Sequence, residues 1–120
     1  MPETPSISVE QRPEAVVIHV LTHNLDENNV VGLRSGITDA LAASPPLPFI
    51  IDMAKVTFVP SLTLGALVRL VSEFRGRQQK LIFVSLQTSV RQVITITRLD
   101  RVMEIMDDVS AALRSVAIGA

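Results

Sequence analysis

Residues 49–70, FIIDMAKVTFVPSLTLGALVRL, decide how this chain reads. Phe49-Ile50-Ile51-Asp52 is a short apolar run ending in a carboxylate, which predicts a strand buried inside a sheet. The loop MAKVTFVPS follows it. From about Leu62 to Arg75, the residues Leu64, Leu67, Leu70, Val71 and Phe74 form one apolar stripe, which predicts an amphipathic helix. Gly76 suits the position just past its end, where helices often close on a left-handed residue. A buried strand leading into an amphipathic helix is half of a repeating α/β unit.

The same alternation extends in both directions. Downstream, Leu81 to Val84 reads as a strand, and a third helix is expected after Ser89, where Ser89 and Gln92 have capping-box spacing. That helix is expected to end near Thr97-Arg98. Val102 to Met106 reads as a last strand, and Asp107 or Asp108 as the cap of a terminal helix reaching about Ser115. Upstream, Val30, Leu33, Ile37, Ala40 and Leu41 predict a helix from Val30 to Ala43, stopped by Ser44-Pro45-Pro46. Ile7 to Val9 and Ala15 to Leu21 read as two strands joined by a turn at Gln11-Arg12-Pro13-Glu14. The predicted order is β-β-α-β-α-β-α-β-α. It implies an α/β fold with a small mixed sheet, a parallel core from right-handed crossovers, and about four packing helices.

Composition sets bounds on function. The 120 residues suit one domain spanning 1–120, and the chain is long enough to bury a core without covalent staples. It has no Cys, so disulfides, thiol catalysis and thiolate metal sites are excluded. A formal net charge of −1 with scattered cations argues against a nucleic-acid face. No apolar run is long enough to cross a bilayer. The start, MPETPSISVEQRPE, lacks the features of a secretory leader, so a cytoplasmic location is expected.

Catalytic chemistry finds little support. His19 and His23 are the only histidines; in a strand their spacing defines no metal site, and His19 reads as a structural residue of an apolar run. Asp107-Asp108 stands where a helix cap is needed, Asp100-Arg101 reads as a solvated pair, and Arg75-Gly76-Arg77 as cations at a helix end. The nucleotide-binding glycine loops and G-x-S-x-G are absent. No enzyme activity, metal or cofactor is expected.

Ser61 stands apart. It falls where the loop turns into a helix, close to amides that lack intrahelical partners. A phosphate there would meet about half a positive charge from the helix dipole. The plainer reading is an ordinary N-cap, worth about 1 kcal/mol.

The chain resembles the STAS domain family, which includes anti-sigma factor antagonists. The resemblance spans roughly residues 7 to 117. It rests on FIIDMAKVTFVPSLTLGALVRL, the Leu-Asp of NLDENN, KLIFVSLQTSVRQVITITRLDRVMEI, and the closing DDVSAALRSV. It implies a non-catalytic protein-binding module with two kinds of partner. One is an anti-sigma factor that is also a serine kinase, and the other is a phosphatase that reverses the modification. Neither nucleic acid nor membrane insertion is implied. By position, the resemblance makes Ser61 the phosphorylated residue and Thr63 a second candidate. Asp26, Asn28, Pro60, Leu62, Leu64 and Gly65 would form the partner-binding face, with Asp52 as a structural acid at the strand end. The turn departs from the family pattern in three places. Pro60 stands for the usual Asp, Leu62 for a small or hydroxyl residue, and Thr63 for the first glycine.

Two further readings fit the same residues. One is a constitutive STAS interaction subunit of a transport or signalling assembly, favoured by the altered turn and by Leu62 as an apolar contact. The other is a ligand-binding or enzymatic domain using the loops at the ends of the parallel strands.

Overall fold

A computed structural model describes residues 7–43 and 46–118. The strands are β1 Ile7–Gln11, β2 Val16–Val20, β3 Phe49–Asp52, β4 Leu81–Val84 and β5 Glu104–Met106, and they form one sheet in chain order. β1 is antiparallel to β2, and every later pair is parallel. The helices are α1 Glu27–Ala43, α2 Ser61–Gly76, α3 Thr88–Ile96 and α4 Val109–Ile118, with a 3-10 turn at Leu99–Arg101. The mixed sheet with a parallel core and four helices is the predicted fold class.

Side-chain alternation builds two layers. Val16, Ile18, Val20, Phe49, Ile51, Leu81 and Phe83 point to one face and pack under α1, α2 and α3. Ala15, Val17, Ile50, Ile82 and Val84 point to the other and pack under Ala112 and Val116 of α4. The central strands are therefore buried on both sides, which is why they read as uninterrupted apolar runs. Each such Val, Leu, Ile or Phe contributes roughly 1.5–3 kcal/mol through removal from water. Phe49 and Phe74 add an edge-to-face contact, with centroids 5.3 Å apart, that locks α2 onto β3.

The element ends differ from the reading in instructive ways. α1 begins at Glu27 rather than Val30, because the Asp26 carboxylate accepts the Asn29 N–H at 2.9 Å and starts the helix early. The expected stop at Ser44-Pro45-Pro46 lies largely outside the described residues, as do the first six residues of the chain. Gly76 does not occupy the left-handed position after α2. It is the last helical residue, and Gln78 takes the positive φ of 55°. The Gln79 and Gln78 amides donate back to Phe74 and Arg75, the paired bonds of a Schellman closure. The capping box at Ser89 and Gln92 does not form. α3 starts one residue earlier, with Gln87 as N-cap and no side-chain cap bond, and the Ser89 hydroxyl donates to Thr57 at 3.0 Å instead. β5 is shorter than predicted because the 3-10 turn takes Leu99–Arg101 and the Val102 and Met103 amides bond back to Leu99. Asp108 caps α4 as expected, accepting the Ala111 N–H at 2.8 Å.

Candidate functional site

The loop from Met53 to Pro60 is held from both sides before it enters α2. On one side, the Thr57 and Phe58 amides donate to the His23 carbonyl, and Leu25 donates to the Phe58 carbonyl. A parallel bridge pairs Asn24 with Phe58, and the His23 ring lies 3.0 Å from the Lys55 carbonyl. On the other side, the Gln87 amide and the Ser89 hydroxyl donate to the carbonyls of Ala54 and Thr57. Val56 and Val59 turn inward and anchor the loop in the core. A loop so satisfied delivers the start of α2 in a defined place.

Pro60 is the N-cap of α2, in extended conformation, and its carbonyl accepts the Thr63 and Leu64 amides. Ser61 is therefore the first helical residue and not the cap, correcting the plainer sequence reading. Proline needs no partner for an amide hydrogen, and its fixed φ suits this position. Among the described residues no side chain caps the helix, and no acid lies in its first turn. The Ser61 hydroxyl is exposed beside amide donors and the positive end of a dipole, an arrangement that suits an anion.

Helical geometry divides the predicted site residues. Ser61, Leu62 and Gly65 face solvent, Leu62 at 75% exposure. Pro60 is half-buried. Thr63 and Leu64, at 1% and 5%, turn into the protein. Asp26 is half-buried and tied up as the cap of α1, and Asn28 is exposed in the first turn of that helix. The pairing of Asn24 and Leu25 with Phe58 brings this segment alongside the loop before Ser61. Apart from its chain neighbours and the helix's own backbone, no atom of the described residues lies within 4 Å of where a Gly65 Cβ would stand, so this part of α2 is open.

Sequence reasoning missed Phe58, which is 57% exposed between buried Val56 and Val59. The signal was there in VTFV: two inward valines that anchor a loop leave the intervening aromatic outside. Phe58 and Leu62 give the surface around Ser61 an apolar character, the kind of patch that marks protein contact.

The STAS domain profile matches residues 6–112. The chain belongs to the STAS domain family. Solved structures agree in fold. An anti-sigma-factor antagonist (STAS) domain protein from Planctomyces limnophilus superposes with a TM-score of 0.79 at 23% identity, over 95% of this chain and 99% of that one. An anti-sigma factor antagonist from Mycobacterium paratuberculosis gives 0.78 at 26% identity, over 92% of each chain. The phosphorylated form of the Bacillus cell fate determinant SpoIIAA gives 0.66 at 21% identity, over 91% of this chain and 98% of that one. STAS folds of this type are generally non-catalytic binding modules. Among the described residues of this STAS domain, no helix is long and apolar enough to cross a membrane, and no group of His, Asp and Glu is arranged to hold a metal ion.

Proposed function

We propose that this STAS domain is a regulatory binding module of the anti-sigma factor antagonist type, acting in the cytoplasm as a single domain. Its partner is an anti-sigma factor that is also a serine kinase, docking on the surface around Ser61. The observation that carries this reading is the exposed Ser61 hydroxyl at the uncapped start of α2, flanked by exposed Phe58 and Leu62. Phosphorylation would add about −1.5 to −2 charge among amide donors that can accept it without refolding, while making the apolar patch hostile to its partner. A phosphatase would restore the binding form. Between the two hydroxyl candidates Ser61 is the acceptor, since a kinase cannot reach the buried Thr63 without opening the first turn.

Intact-mass measurement with peptide mapping, on protein isolated from its native cells under phosphatase inhibition, tests the reading. An added mass of about 80 Da on Ser61 supports it. The kinase so implicated should then bind Ser61→Ala and lose affinity for Ser61→Asp; equal affinity for both variants would overturn the switch.

A constitutive interaction subunit is the second reading. It is favoured by Pro60, which offers no carboxylate beside Ser61, and by the exposure of Leu62. Absence of modification across growth and stress conditions, with binding lost in Leu62→Asp, would select it.

A further inference from the structure

On the sheet face opposite α1, α2 and α3, charged side chains form a continuous chain. Arg12 bridges Glu14 at 3.2 Å and Glu10 at 2.7 Å. Glu10 in turn lies 3.0 Å from Nε2 of His19, whose Nδ1 lies 2.7 Å from Asp52. Asp52 also accepts the Ala54 N–H at 3.0 Å. Strand register makes this possible: His19 sits beside Ser8 on one side and Asp52 on the other, with Glu10 one pleat along β1. The imidazole thus spans β1, β2 and β3 from the central strand of the three.

A neutral imidazole has one N–H and one lone pair, so one of the two carboxylates would face a lone pair. Only the imidazolium donates to both. The groups facing it are Glu10 from β1, Asp52 from β3 and Lys55 from the following loop, with Arg12 and Glu14 acting through Glu10. A hollow of about 270 Å³ lined by Ser8, His19, Asp52 and Lys55 keeps the ring within reach of water, so protons can exchange.

We propose that His19 is a proton-operated fastener that joins the edge strand β1, through Glu10, to β3, through Asp52, and releases that edge when it loses its proton. Loss of the proton converts one of two charge-assisted hydrogen bonds into a lone-pair contact. β1 is the strand to respond, because among the described residues it has a sheet neighbour on only one side. The device is independent of Ser61 and of the partner that docks there.

Amide hydrogen exchange by NMR, together with titration of the His19 ring, tests it on the intact protein. Protection factors already corrected for intrinsic pH dependence should fall several-fold in β1, with the midpoint of the ring titration, while those of β3 and β4 hold. In Glu10→Gln, an exposed change that leaves the core untouched, the ring should titrate at lower pH and the β1 response should shrink. In His19→Gln it should vanish. Protection in β1 that is constant across the ring titration, or a pH response that survives in either variant unchanged, overturns the proposal.

Discussion

The hydroxyl of Ser89 donates to the carbonyl oxygen of Thr57 at 3.0 Å, tying the first turn of α3 to the loop that ends at Ser61. Two segments 32 residues apart are thereby joined at the site. Ser89→Ala should lower stability by about 0.5–1.5 kcal/mol, the net value of one hydrogen bond, with the urea midpoint as the readout. Hydrogen exchange at Val56 to Phe58 should quicken with it, though only modestly, since the ties of Thr57 and Phe58 to His23 remain.

Asp26 serves the fold. Its carboxylate accepts the Asn29 amide, so Asp26→Ala should destabilise by about 1 kcal/mol. Asp26→Asn keeps an oxygen acceptor and should cost far less. If Asp26 also meets the partner through its charge, Asn will keep stability but weaken binding. Parallel denaturation and binding titrations on the two variants separate these roles.

Gln78 holds a left-handed conformation, φ 55°, that closes α2. A side chain with a Cβ costs roughly 1–2 kcal/mol there, and glycine does not incur that cost. Gln78→Gly should therefore raise the melting temperature, by an amount equivalent to about 1 kcal/mol after the gain in unfolded-state freedom is subtracted. Gly76→Ala, inside the helix and with nothing within 4 Å of the new Cβ, should also stabilise.

The charge chain predicts how stability varies with pH. Burial disfavours the His19 imidazolium, but its hydrogen bonds to Glu10 and Asp52 outweigh this and hold the pKa above the ordinary 6.5. That contribution is fully present below pH 6.5 and is lost as pH rises through the raised folded value. Hydrogen bonds from His19 and Arg12 hold the exposed Glu10 below its ordinary 4.5. Its contribution is present above pH 4.5 and is lost as pH falls through the lowered value. The two contributions overlap in full between pH 4.5 and 6.5. Melting temperatures recorded across pH should show the alkaline decline in the parent and a flatter one in His19→Gln.

Much of the fold was legible in the chain, and particular residues show why. Val16, Val17 and Ile18 are apolar in succession because both faces of β2 are covered, and Leu64, Leu67, Leu70 and Phe74 keep helical spacing because one face of α2 is buried. Both patterns are consequences of backbone geometry, repeated within a few residues. The site was legible only in part. Ser61 could be placed at a helix start, but Pro60 rather than Ser61 proved to be the cap, and the packing of α2 decides that Ser61 faces solvent while Thr63 does not. Ser89 and Gln92 had the spacing of a capping box, yet the hydroxyl found the Thr57 carbonyl from another element.

Periodicity and composition are local properties, and they were enough to set the order of strands and helices, the buried faces and the absence of thiol chemistry. Tertiary structure alone decided that Thr63 turns inward while Ser61 and Phe58 turn out, and that His19 lies between Glu10 and Asp52. Those outcomes depend on strand register and on the entry angle of a helix. Both are set by contacts between distant segments, and no short stretch of sequence contains them.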